Sequence, residues 1–398
     1  MKTLLQKIFF GIFSFVGVIV LIWLGAHLFT NNSQWARAIA WLDSDIDDYK
    51  RFPMRLVSNA APTFDFLQPS EEIRQHYAPA FDTITYLQNR QSVTRDFDDF
   101  LEQTDTIGFL VVKEDTLLYE NYFNGYNHDS TVTSFSIAKS FVSALVGIAI
   151  TEGYINSVED PITKYVPELL KKDPRYQNIT LRHLLTMSSG IHYEEYSMPW
   201  SDDAATYYAP DLRAVAISSP IMGEPGQEFH YNNFHPLLLG LVLERTTGRQ
   251  VSKYLEEKIW EPLGMEALGS WSLDSEQSGF EKMESGINGR AIDFAKFGRL
   301  FLNEGNWNGV QLVPVEWVDE STRLDTATDP APQYQYSWWV NAEFIGKHHY
   351  YAAGKHGQYI YIVPEQNMIF VRFGRTDPYR QWDSVFEELA ARISALSE

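Results

Sequence analysis

The sequence predicts an α+β fold: an antiparallel β-sheet built from N- and C-terminal segments and flanked by helices, with a mainly helical subdomain inserted, the whole preceded by one N-terminal transmembrane helix. Three observations predict it. Strand-like runs come in pairs at both ends of the body, 107–112 with 116–122 and 358–363 with 368–373. Helix-like apolar runs fill the interval, the arrangement expected when two chain segments share one sheet and a helical region is inserted between them. An uncharged apolar stretch, 8–29, opens the chain.

That stretch exceeds the roughly 20 residues a helix needs to cross a bilayer. Lys2 and Lys7 precede it, whereas Asp43, Asp45, Asp47 and Asp48 follow. The basic flank keeps the N-terminus inside and places the body on the outer side of the cytoplasmic membrane, as a single-pass protein. The stretch is longer than the apolar region of a cleaved signal, and Leu24-Gly25-Ala26 puts a leucine where a cleavage site wants a small residue. The division expected is therefore an anchor over 1–30, a stem with short helical pieces such as 92–102 over 31–104, and a folded body over 105–398.

Within the body, Lys113-Glu114-Asp115 turn the first strand pair into a hairpin. The apolar run 137–150 reads as a buried helix. A loop with a short helix follows over 153–170, and Thr180 caps a helix over 181–187 that Ser188-Ser189-Gly190 ends. Residues 191–212 read as an acidic, aromatic loop. Helices are expected over 237–245, stopped by Gly248, and over 292–302, ended by Gly305. A strand over 336–340, the second hairpin around Pro364-Glu365-Gln366-Asn367, and an amphipathic helix over 382–396 complete the body.

A net charge of −20 excludes nucleic acid and other polyanions as partners, because such ligands need a basic surface. The chain has no cysteine, which removes disulfides, a thiol nucleophile, Cys-ligated metal and a lipoprotein anchor. His230 and His348-His349 read as turn residues, with no carboxylate or further histidine at ligand spacing.

Chemistry concentrates in three places. Ser136-Ile137-Ala138-Lys139 is the only Ser-x-x-Lys in the chain, and it opens the buried helix. Three residues along a helix put both side chains on one face, with Cβ atoms about 5–6 Å apart. A serine hydroxyl needs such a neighbouring base to become a nucleophile. Tyr231-Asn232-Asn233 follows a turn-rich approach from Gly223 to His230, and a phenol beside an ammonium can serve as a general base. Lys355-His356-Gly357-Gln358 leads into a strand, where a glycine lets backbone approach a substrate carbonyl and an amide N–H can face a developing oxyanion. Each alone also has an ordinary reading: a helix cap with a snorkelling lysine, a buried loop tyrosine, and a hairpin turn.

Taken in order and spacing, these motifs resemble the penicillin-recognising serine hydrolases: class C β-lactamases, D-Ala-D-Ala carboxypeptidases, related esterases and the 6-aminohexanoate-dimer hydrolases. The resemblance spans about residues 105–395, and includes the strings from Gly153 to Leu169, His183 to Ile191, and Gln311 to Pro314. It implies a β-lactamase/transpeptidase-like fold, no metal and no cofactor. It implies Ser136 as the acylated nucleophile, Lys139 as its proton partner and Tyr231 as the base that activates Ser136 and returns the proton to the leaving group. Asn233 would orient Lys139 or the substrate amide, Lys355 and Gly357 fall on the family's third motif, and the amides of Ser136 and Gln358 would form the oxyanion hole. His356 stands where that motif usually has Thr or Gly, which points to the nylon-oligomer and esterase branches rather than to efficient penicillin hydrolysis. Residues 192–196, with Trp200, Tyr207 and Tyr208, are expected to overhang the pocket, with Tyr193 or Tyr196 closing over the substrate. Trp338-Trp339 is expected as core strand. The function so implied is a membrane-anchored serine hydrolase of a small or linear ester or amide. A D-Ala-D-Ala carboxypeptidase, or a non-catalytic relative that binds peptidoglycan or a partner protein, are the alternatives.

Overall fold

A computed structural model describes the chain apart from residues 1, 31, 89, 197, 325–330, 342–347 and 398, with the side chains of 2–8, 10, 11 and 341 also outside the description. Its centre is a seven-stranded antiparallel sheet. The strands are β1 (Thr106–Lys113), β2 (Thr116–Tyr122), β3 (Tyr334–Gln335), β4 (Trp338–Asn341), β5 (His349–Gly354), β6 (Gln358–Val363) and β7 (Met368–Gly374). They lie in the order β3-β4-β5-β6-β7-β1-β2, so the two chain segments join where β7 pairs with β1, with Phe370 opposite Val111. The β1–β2 turn forms at Glu114 and Asp115, both at positive φ.

Because strand side chains alternate between faces, one sheet builds two cores. Leu110, Val112, Ile360, Ile362, Ile369 and Val371 face a helical layer containing Phe141 and Phe294. Phe109, Val111, Tyr361, Val363 and Phe370 face Trp382, Phe386 and Leu389 of the C-terminal helix. Each fully buried aliphatic or aromatic side chain contributes about 1.5–3 kcal/mol. The principal helices are α1 (Ile137–Thr151), α2 (Phe234–Thr247), α3 (Ala291–Leu302) and α4 (Trp382–Ser397). α1 is buried from Ile137 through Ala149, which is why it is apolar around its whole circumference rather than along one stripe.

The described residues of the stem pack directly on this body. Ile46, Val57 and Phe66 enter the first core, and Phe97, Phe100 and Leu101 the second. Met54–Val57 pairs with Gly269–Ser272. The helix expected over 92–102 is corrected: Gln91–Asp96 is a strand paired with Thr83–Gln88, and the helix begins only at Phe97. The β-branched Val93 and Thr94 suit the strand, and the Asp96 carboxylate accepts from the Asp99 N–H, so the helix starts after its own cap. The loop expected over 191–212 contains a helix, Asp202–Tyr208, capped by Ser201 and carrying two acids in its first turn.

A helix runs over Lys2–His27, with Phe13, Phe15 and Leu21 each about two-thirds or more exposed. Among the described residues no helix is long and apolar enough to cross a membrane. The side chains of Ile8, Phe10 and Gly11, where the expected span begins, lie outside the described residues.

Candidate active site

The turn before α1 aims its first side chain. The Ser134 N–H donates to the Ile287 carbonyl at 2.9 Å, and Phe135 takes a left-handed backbone with φ of 48°. For a bulky residue that conformation costs about 1–3 kcal/mol and persists only where the surroundings enforce it. Here it swings Ser136 out at the mouth of the helix. Ser136 makes no side-chain cap bond, so its hydroxyl is free for other work. Lys139, one turn later and 1% exposed, donates from Nζ to Ser136 Oγ at 2.7 Å and to the Glu284 carbonyl at 3.0 Å.

Tyr231 arrives from the other side, just ahead of α2. Its ring centroid lies 5.0 Å from Lys139 Nζ. The ring stacks on Trp339, 6.0 Å away and 19° from parallel, and meets Tyr334 edge-on. Asn232 holds this approach, donating to the Ile191 carbonyl and accepting from the Phe234 N–H. Asn233 donates to Tyr193 Oη at 2.7 Å, and its Oδ1, the atom that could accept from Lys139, is buried without a hydrogen-bond partner. The pairing of Trp338 and Trp339 as core residues holds for Trp338 alone. Adjacent residues of β4 face opposite ways, so Trp338 packs on Phe301 while Trp339 walls the cavity.

Ser136 and Tyr231 line one cavity of ≈ 530 Å³, together with Asn233, Trp339 and the end of β5. Ala353 and Gly354 form that part of the wall. A Cβ on Gly354 would stand 2.5 Å from the Ser134 carbonyl oxygen and 3.2 Å from Phe135 Cβ, so only glycine lets β5 approach the turn ahead of α1 this closely. β4 pairs with β5 only as far as Tyr351, which leaves the β5 edge beyond it facing the cavity.

The third motif is placed differently. Lys355 reaches the cavity, but its Nζ pairs with Asp43 Oδ1 at 2.5 Å. His356, at φ of 66°, lies 2.9 Å from the Ser44 carbonyl through Nε2 and packs edge-on against Phe135. Gly357, at φ of 74°, serves the β5–β6 turn; a Cβ there would strike the Arg372 guanidinium at 2.0 Å. Gln358 is fully buried, and its side chain bonds to Lys355 and Gly374. The main chain lining the cavity beside Ser136 is thus that of β5, not of Gln358.

In the aromatic segment, Tyr196, Tyr207 and Tyr208 line the cavity, while Trp200 lies outside it, tilted against Trp35. Tyr193 is 3% exposed and donates to Asp203 at 3.0 Å. Burial, with the Asp203 charge beside it, pushes its phenol up, so it stays a hydrogen-bond donor. Of the two tyrosines, Tyr196 is the one at the cavity surface.

The stem supplies Asp43 and Ser44 to the wall. No local pattern marks them. Behind Lys139 lies a second unanticipated pair: Lys282 donates to Glu284 at 2.9 Å and to the Tyr207 carbonyl at 2.6 Å, both side chains being 1% exposed. Burial pushes the Lys282 ammonium down, and Glu284 opposes that. This pair pins the loop whose Glu284 carbonyl receives Lys139. Lys282, two residues ahead of an acid, is the only sequence signal for it. Among the described residues no group of acids and histidines could hold a metal ion.

A family profile described as Beta-lactamase matches residues 93–386. The 6-aminohexanoate-dimer hydrolase of Paenarthrobacter ureafaciens is 28% identical over 322 residues, 75% of this chain and 80% of that protein. Among solved structures, a provisionally assigned 6-aminohexanoate-dimer hydrolase from Bacillus anthracis matches with a TM-score of 0.76 and 25% identity, covering 90% of this chain and 97% of that one. A D-stereospecific amidohydrolase from a Streptomyces species shares the fold, with a TM-score of 0.60 at 18% identity over 80% of this chain and 98% of that one.

Proposed function

Because this chain belongs to the beta-lactamase family, we propose that it is a membrane-anchored enzyme that cleaves a carboxylic ester or amide by acylating Ser136. It is a serine hydrolase of that family, of the amide- and ester-cleaving kind. The observation that carries the finer reading is the 2.7 Å contact from Lys139 to Ser136 Oγ with the Tyr231 ring standing over the ammonium.

In this reading Tyr231, acting through its phenolate oxygen, takes the Ser136 proton as Oγ attacks the substrate carbonyl. Lys139, fixed by the Glu284 carbonyl, holds positive charge beside the attacking oxygen. The oxyanion sits between the Ser136 N–H and an edge amide of β5 near Ala353 and Gly354, where preorganised donors act on charge as it develops. Tyr231 then returns the proton to the departing alcohol or amine. Water repeats the sequence on the acyl-serine, releasing the acid and restoring the hydroxyl. The aromatic cavity and the relatives' names support a small or linear substrate. The exposed apolar side chains of the N-terminal helix, with Lys2 and Lys7 ahead of them, support an anchor that leaves the body on the outer side of the cytoplasmic membrane.

Turnover of p-nitrophenyl butyrate tests the reading. Ser136→Ala lowers kcat/KM by about 10³-fold or more, the scale for removing a catalytic nucleophile. Turnover within a few-fold of the unaltered protein would remove Ser136 from the chemistry.

A further inference from the structure

The cavity holds a cation that the chain itself has already engaged. Lys355 follows directly on Gly354, at the point where β5 abuts the nucleophile turn, and lines the cavity with Asp43, their side chains being 43% and 70% exposed. Asp43 comes from 312 residues earlier and meets it at 2.5 Å. The approach is built rather than incidental. Asp43 Oδ1 also accepts from the Ser44 N–H at 2.8 Å, and Ser44 is tied through its carbonyl to His356 at 2.9 Å. Partial burial raises the Asp43 carboxyl, but the Lys355 contacts outweigh it and hold the group below its ordinary value, so it is ionised at neutral pH. The other acids in the wall are Glu195, Asp203 and Glu284, and only Glu284 has a lysine partner.

We propose that Asp43 is a specificity-determining residue: an internal counter-ion that occupies Lys355, so that the cavity turns away substrates carrying a carboxylate near the scissile bond and takes those with an uncharged acyl group. The proposal rests on Ser136 being the acylated nucleophile of a hydrolase. A substrate carboxylate entering the cavity must displace Asp43 from Lys355 while lying close to Glu195 and Asp203. An uncharged acyl chain meets neither demand. Removing the Asp43 charge both frees the ammonium and lowers the repulsion, and the freed ammonium is the part that distinguishes a counter-ion from mere acidity.

The test is a pair of esters on the full chain, uncharged p-nitrophenyl butyrate and the carboxylate-bearing p-nitrophenyl hemiglutarate. The quantity read is the acid-to-neutral ratio of kcat/KM. Asp43→Asn raises that ratio about tenfold, the scale for one unit charge a few ångströms away in a partly solvated pocket. Adding Lys355→Met returns it to near the starting value. Asp43→Ser gives the same rise and covers the case in which the amide variant does not fold. A ratio that stays put or falls in both Asp43 variants would overturn the proposal. So would a rise that survives loss of Lys355, since plain repulsion would then suffice. Butyrate turnover that persists in Ser136→Ala would instead overturn the hydrolase reading, and the counter-ion proposal with it.

Discussion

Gly354→Ala places one methyl group between β5 and the turn that carries Ser136. The added Cβ would lie 2.5 Å from the Ser134 carbonyl oxygen and 3.2 Å from Phe135 Cβ. Ordinary contact begins near 3.4 Å, and the nearest obstruction is backbone, so β5 and the turn must separate by close to an ångström. Overpacking of this kind costs about 1–3 kcal/mol of stability. With an unfolding entropy of about 2 cal/mol/K per residue, that is a melting shift of only about 1–4 °C for a body of this size. Activity falls much further. Displacing a positioned group by about 1 Å costs on the order of 10²-fold, and here the separation opens between Ser136 and the β5 edge on which the oxyanion amide is placed. The assay is kcat/KM for p-nitrophenyl butyrate beside thermal unfolding of the same preparation. A variant that melts within those few degrees yet turns over at the unaltered rate would refute the idea that the β5 edge meets the reacting carbonyl.

Four further outcomes are expected. Trp339→Ala removes the ring that stacks on Tyr231 and lowers kcat/KM about two- to tenfold, the equivalent of 0.5–1.5 kcal/mol for an aromatic pair; an unchanged value would mean Tyr231 is positioned without it. Tyr193→Phe strips the hydroxyl that donates to Asp203 and accepts from Asn233 and costs about 1–3 kcal/mol in denaturant unfolding, whereas Tyr196→Phe at the cavity surface moves KM and leaves stability alone; the reverse pattern would exchange their roles. Burial pushes His235 down to about 3. Its value in the unfolded chain is near 6.5, so the unfolded state takes up a proton that the folded state refuses as pH drops from about 6.5 towards 3. Stability therefore falls by about 1.4 kcal/mol per pH unit through pH 6 to 4 from this group and is unaffected by it above 6.5; His235→Gln flattens that slope, and an identical slope in denaturant titrations would place the imidazole in water. Finally, the full chain stays in the membrane fraction through a high-salt wash, and release by salt would exclude a spanning helix.

Elements set by a repeating apolar pattern were readable from the chain alone. The paired runs 107–122 and 358–373, and the largely apolar α1, declare their burial in every turn or alternate residue. The strand at Gln91–Asp96 was missed because it shares one polar run with the helix that follows, and only the Asp96 cap separates them. Ser136 and Lys139 were legible because both sit on one helix at a spacing that fixes their contact, and Tyr231 because a turn-rich approach announces an exposed segment. What was not legible came from far away or from backbone. The Glu284 carbonyl that receives Lys139 lies 145 residues on and carries no residue signature. Asp43 meets Lys355 across 312 residues, from a segment with nothing to mark it as part of a site. Alternation along a strand says that Trp338 and Trp339 face opposite ways, but which face meets the cavity depends on the sheet order. Gly357 and Gln358 carried the right residue types for an oxyanion site, yet their side-chain and turn roles are settled by Arg372 and Gly374, neither of which is near in sequence.

The central claim is that Ser136 carries the acyl group. Mixing the protein with p-nitrophenyl butyrate, quenching in acid within the first turnover and sequencing the peptides by mass spectrometry tests it directly. A butyryl increment on the peptide containing Ser136, absent in Ser136→Ala and longer-lived when Tyr231 is replaced by Phe, is the predicted result. An increment on any other residue, or ester turnover with the Ser136 peptide unmodified at every quench time, would contradict it.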